Sequence, residues 1–141
     1  MKPKSIIKKL QTLCEKLWKE VCFARDGRRC MVKVHFPELK EIKHSEVYQV
    51  DHCVTRDNKF LKFDPRNGTV VCSSCNASKS WNKKSVGRLI DMIVKEREGI
   101  EIFDWMVALD NSNLPNLEFT NIDWLEGWVE KLTKMKMEFT A

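Results

Sequence analysis

The stretch VVCSSCNASKS, residues 70–80, decides how this chain is read. A β-branched run leads into Cys72, and Cys75 follows at the two-residue gap of a zinc knuckle. Two thiolates at that spacing can share one tetrahedral ion, and a structural site needs two more ligands. Asn76, an oxygen donor, follows Cys75 directly, and upstream the strand-like run YQVDHC (48–53) carries the pair Asp51 and His52. The knuckle is therefore either purely structural or the brace of a reactive site.

Outward from this stretch, 141 residues with 43% hydrophobic content imply one folded domain, or a small core with an appendage. No run of about 18 apolar residues is present, which excludes a membrane-spanning helix on length. The first twenty residues scatter lysines among their apolar positions, unlike a secretory leader, so the chain is expected in the cytoplasm. Charge is unevenly spread. Residues 1–90 hold 20 Lys and Arg against 9 Asp and Glu, a net of +11; residues 91–141 hold 5 against 11, a net of −6. A basic segment around the Cys, His and Asp cluster suits a polyanionic partner, because neutralised phosphates release counterions. A lysine-rich solvated face would look the same. Six cysteines without a leader point to reduced thiols and metal binding rather than disulfides.

Residues 4–24 read as an amphipathic helix, with Cys14 and Cys22 in an apolar stripe that includes Leu17, Trp18 and Val21. An Asp-Gly turn signal follows, then a mixed segment over 31–46 in which FPELKEIKH (36–44) reads as a loop. Residues 46–54 read as a strand and KFLKF (59–63) as its returning partner, with DPRNG (64–68) as a turn. Ser73 or Ser74 can cap a short helix bearing Cys75 and Asn76. Helices are expected over 84–98, 100–109 and 121–139, the last after a polar linker. Trp105, Trp124 and Trp128 sit at helical positions that favour core packing.

Four polar residues stand at special points of this pattern. Asp51 and His52 end the first strand, Asn67 lies in the turn, and Asn76 lies on the short helix. Singly, each has a bland reading as a surface pair, a turn former or a helix residue. Jointly they match the needs of phosphodiester hydrolysis: an activated water, and charge stabilisation on the phosphate and the leaving oxygen. A neutral imidazole can take the water's proton, while carboxylate and amide oxygens suit a hard cation.

This spacing resembles the HNH, or ββα-metal, nuclease motif, with asparagine in place of the final histidine. The Asp-His and Cys-x2-Cys-Asn combination looks like the phage endonuclease VII type of junction resolvase. A longer similarity, over roughly residues 17–106, is to the NinG/Rap recombination nucleases of lambda-like phages, carried by LWKEVCFARDGRRC, LKFDPRNGTVVCSSCN and WNKKSVGRLIDMI. NinG-like sequences tend to carry Gly before the histidine, where this chain has Asp51.

The resemblance implies an α+β fold, mostly helical, built on a zinc-braced, treble-clef-like ββα-metal core with flanking helices. It places a nuclease domain and N-terminal helix in 1–110, and in 111–141 a linker and amphipathic helix packing on the core or a partner. It makes His52 the general base and Asn67 the residue that fixes imidazole and hairpin, with Asp51 and Asn76 holding a catalytic Mg²⁺ or Mn²⁺. A structural Zn²⁺ would take Cys72, Cys75 and Cys30, since RDGRRC stands at the family's first knuckle. No cysteine stands at 33, so the fourth ligand falls to a histidine. His35 is favoured because Cys-x4-His is compact, and His44 stays open because loops fold back. Cys53 should point away into the core. Arg56, Lys79, Lys83 and Lys84 are the expected phosphate contacts. The implied function is a phage-encoded DNA endonuclease in the host cytoplasm, acting on branched recombination or replication intermediates beside phage or host recombination proteins. Junction cleavage would favour a two-fold homodimer. The alternative is a non-catalytic zinc-dependent nucleic-acid-binding module, which leaves Asp51, His52, Asn67 and Asn76 as coincidence.

Overall fold

The computed structural model describes residues 3–54, 58–81, 86–112 and 117–140. Helix α1, Pro3–Asp26, buries Cys14, Trp18, Val21 and Cys22 along one stripe, as their three- and four-residue spacing predicts. It stops at Gly27, whose φ of 78° suits a residue without Cβ and whose N–H reaches the Phe23 carbonyl at 2.8 Å. A short helix α2, Met31–His35, follows in the mixed segment, just ahead of the loop expected at 36–44.

Strands β1, Tyr48–His52, and β2, Gly68–Cys72, pair antiparallel, with Tyr48 opposite Cys72 and His52 opposite Gly68. This corrects the expectation that 59–63 forms the second strand. That segment folds back on itself: Asn58 Oδ1 accepts from the Leu61 N–H at 3.1 Å, and the Asp64 N–H reaches the Leu61 carbonyl at 3.2 Å. Leu61 and Phe63 are buried as a plug beneath the loop, and the ladder bonds go instead to the β-branched run Thr69, Val70 and Val71. Between plug and strand, Asp64 caps a 3-10 turn at Pro65–Asn67 through the Arg66 N–H at 3.0 Å.

Every residue of β2 is buried. Val70 packs on α1 with Trp18 and Cys22, while Val71 faces the cluster containing Cys30 and Ile90. Gly68 permits the close approach: a Cβ there would lie 2.6 Å from Cys22 Sγ and 2.8 Å from Trp18 Cζ2. Asp26 and Arg25 lock the same junction. The Asp26 carboxylate accepts from the Val70 N–H at 3.1 Å, and the Arg25 guanidinium donates to the carbonyls of Pro65 and Gly68.

Three helices complete the hairpin's far side: α3 (Ser73–Trp81), α4 (Arg88–Glu98) and α5 (Ile100–Asp110). Leu61, Val94, Phe103 and Met106 form a core cluster between the last two and the plug. A second 3-10 turn, Leu117–Thr120, leads to α6, Ile122–Thr140, whose Leu125 and Leu132 enter the α1 core. The C-terminal helix thus packs on this chain's own core. Among the described residues no helix is long and apolar enough to cross a membrane.

Candidate metal centre and cleft

Cys72 ends β2 and Cys75 lies in the first turn of α3, so the knuckle is made by a strand turning directly into a helix. The Cys75 N–H points at Cys72 Sγ, 3.4 Å away. Cys30 comes from the other side, in extended conformation at the start of α2. The fourth member is His44. Ligand atoms of Cys30, His44, Cys72 and Cys75 all lie within 4.8 Å of one another.

The edges of this group fit zinc. With Zn–S near 2.3 Å and Zn–N near 2.0–2.1 Å, a regular tetrahedron has S···S edges of about 3.8 Å and S···N edges of about 3.6 Å. The Cys30–Cys75 sulfurs are 3.7 Å apart, and His44 Nδ1 lies 3.5 Å from Cys72 Sγ and 3.4 Å from Cys75 Sγ. The Cys75 thiol, followed by the amides of Cys72, Lys33 and Val32, holds the Cys30 thiol down to about 4 against the opposing effect of burial. The same contact pushes Cys75 up. Buried sulfurs this close cannot all carry charge alone, and a divalent cation is the counter-charge that lets them do so.

His35, the favoured fourth ligand, is corrected to His44. Its Nδ1 instead lies 3.7 Å from Glu96 Oε2, at the end of α2 facing α4. The hairpin register explains the choice. With Tyr48 opposite Cys72, residues just before β1 run alongside those just after β2. Ser45 fastens this overlap: its hydroxyl meets Ser73 Oγ at 2.7 Å and accepts from the Ser74 N–H at 3.2 Å, capping α3. The Ser73 N–H also donates to the Val47 carbonyl at 2.7 Å. Ser45 was not read as a functional residue from the sequence.

Of the four polar residues of the proposed reactive site, Asp51, His52 and Asn67 stand at the end of the hairpin where His52 faces Gly68, while Asn76, on α3, meets Gln49. His52 stacks on Trp18 with ring centroids 4.1 Å apart and planes 12° from parallel. Its Nε2 lies 3.0 Å from the Lys62 carbonyl oxygen. A carbonyl only accepts, so Nε2 carries a proton and the lone pair of the neutral ring sits on Nδ1. Trp18 is itself fixed, its Nε1–H donating to the Asp64 carbonyl at 3.0 Å. The sequence marked Trp18 only as core; nothing in its helical spacing reveals that it backs His52.

Asn67 is fully buried and ties down the loop that leaves β1. Its Oδ1 accepts from the Val54 N–H at 2.6 Å, and its Nδ2 donates to the carbonyls of Val54 and Leu61. Asn76 Nδ2 donates to Gln49 Oε1 at 2.6 Å, which leaves its Oδ1 as a hard donor. Alternation along β1 places Asp51 on the same face as Gln49, and Asp51 is buried. Cys53, expected in the core, is half-buried against Val54 and its neighbours, with Sγ 3.2 Å from Asp91 Oδ1.

His52 opens on a cleft of about 500 Å³ between α1 and β1, lined also by Lys19, Tyr48, Lys59 and Lys62. Of the expected phosphate contacts, Lys79 falls on α3, while Arg56, Lys83 and Lys84 lie outside the described residues. No protein-family model, curated protein or solved structure matches this chain.

Proposed function

We propose that this protein is a metal-dependent DNA endonuclease of the ββα-metal type, with His52 as its general base. The observation that carries the reading is the setting of His52: pressed flat on Trp18, held through Nε2 by the Lys62 carbonyl, and lining a cleft with three lysines. A surface histidine needs none of these supports, whereas a base must be aimed and kept in one tautomer.

In this mechanism Nδ1 of His52 takes a proton from a water molecule in the cleft, and the resulting hydroxide oxygen attacks phosphorus. The P–O3′ bond breaks, the 3′ oxygen leaves and takes a proton from solvent water, and the His52 imidazolium returns its proton to solvent. Asp51 and Asn76 would hold a hard cation, Mg²⁺ or Mn²⁺, which supplies positive charge to the phosphate and leaving oxygen. Asn67 keeps the loop after His52 in place and so preserves the aim of the ring. The Cys30, His44, Cys72 and Cys75 cluster, with structural Zn²⁺, anchors the start of α3 and thereby the position of Asn76.

The test is cleavage of four-way junction, flap, duplex and single-stranded DNA with Mg²⁺ or Mn²⁺. His52→Ala should retain zinc, fold and DNA affinity yet lose about 10²–10⁴-fold in rate, the usual weight of a general base. Asp51→Ala should respond to excess Mn²⁺, and His52→Ala should not. Zinc-loaded, DNA-bound wild type that leaves every substrate intact would instead establish a binding module.

A further inference from the structure

The cleft contains a pair of lysines other than those expected to contact phosphate. Lys59 and Lys62 each place Nζ 5.2 Å from the centroid of one ring, that of Phe119. Both side chains line the cleft beside His52. The ring is itself anchored: it stacks on Phe63 at 5.8 Å, and its backbone carbonyl accepts from Gln11 Nε2 on α1 at 2.9 Å. A cation held on an aromatic face loses reach and gains direction. The third lysine of the cleft, Lys19, is partly offset by Glu15, 3.7 Å away.

Lys62 has a second connection to the site. Its backbone carbonyl is the group that holds His52 Nε2, so one residue both orients the base and presents a cation at the cleft. A strand held by the Lys62 side chain would lie beside the ring that the Lys62 backbone aims. We propose that Lys59 and Lys62, positioned by Phe119, grip the phosphodiester backbone of a nucleic-acid strand at the mouth of the cleft. The C-terminal segment, through Phe119, then forms part of the substrate surface. That the ligand is nucleic acid rests on the function proposed above; the placement of the grip rests on the cleft.

The experiment measures binding of fluorescent DNA and RNA oligonucleotides of equal length to the full zinc-loaded chain, without added Mg²⁺ or Mn²⁺, across a salt series. Removing two phosphate contacts from a single strand should lower the slope of log K against log salt by about 1.4, or roughly 25-fold in affinity over one decade of salt. Lys59→Gln/Lys62→Gln should show this loss with both polymers, and the tighter-bound polymer in the wild type identifies the preferred strand. Lys131→Gln removes an equal charge from a lysine on the Trp128 ring of α6, and should leave the slope unchanged. Phe119→Leu keeps an apolar side chain against Phe63 but loses the π face; it should weaken binding at an unchanged melting temperature, and Phe119→Tyr should restore it. An unchanged slope in the double variant, or a wild type with no salt-dependent binding, overturns the grip. Cleavage is scored separately with Mg²⁺. A wild type that cuts nothing while the double variant loses its slope leaves the grip standing and removes the nuclease. A wild type that cuts while the slope is unaffected does the reverse.

Discussion

Replacing His44 by alanine tests the metal centre where sequence and structure part company. Structural zinc contributes about 10–16 kcal/mol in small zinc domains, so one of four ligands carries roughly 3 kcal/mol, about a hundredfold in zinc affinity. His44 Nδ1 sits at tetrahedral-edge distance from two sulfurs, so its removal should cost that full amount. His35→Ala should leave zinc affinity unchanged, since it gives up only a partly exposed contact with Glu96 worth no more than about 1 kcal/mol. Ser45→Ala should fall between them, because losing a group that orients a ligand typically weakens binding 10–100-fold. Competition with a chromogenic zinc chelator, read beside thermal melting with and without added zinc, separates the three variants. His44→Cys, which offers a fourth thiolate, should recover most of the affinity. Wild-type zinc affinity in His44→Ala, or an equal loss in His35→Ala, would refute the assignment.

Thiol labelling at mild pH should proceed in three steps: Cys53 reacts in the native zinc-loaded protein, a chelator exposes Cys30, Cys72 and Cys75, and Cys14 and Cys22 react only after unfolding. Burial pushes Cys14 up to about 11 and Cys22 to about 12, so the unfolded chain, with thiols near the usual 9, loses protons first as pH rises. Their contribution to stability is therefore complete below about pH 9 and lost toward pH 11 to 12. Cys14→Ala/Cys22→Ala should lose stability less steeply across that window in urea titrations, and parallel slopes would contradict the account. Gly68→Ala should destabilise by about 1–3 kcal/mol through overpacking against Cys22 and Trp18, visible as a lower urea midpoint; an unchanged midpoint would mean that β2 can move off α1 without cost.

The long helices α1, α4 and α6 were legible because each presents one apolar stripe over several turns. The apolar residues of α1 and α6 recur at three- and four-residue steps, and Gly27 marks the end of α1. The second strand was not legible, and the reason is burial. KFLKF was read as the returning strand because it follows the RDN punctuation at hairpin distance from the first strand, whereas GTVVC lies further along the chain, is covered on both faces and shows no alternation. Proximity along the chain therefore favoured the wrong segment.

That single displacement also hid the fourth member of the Cys3His cluster. If the returning strand lay at 59–63, nothing would bring residue 44 near Cys72, and compact spacing would favour His35. Once β2 runs to Cys72, antiparallel pairing brings the chain before Tyr48 alongside the knuckle, and Ser45 can close onto Ser73 and Ser74. His44 follows from strand register, a long-range property that ligand spacing does not encode. The setting of His52 was hidden in the same way. Its ring meets Trp18 and the Lys62 carbonyl because α1 crosses β1 and the 59–63 segment turns back beneath it. Local sequence supplied the polar residue types; the packing of β2 against α1, which Gly68 permits, supplied their surroundings.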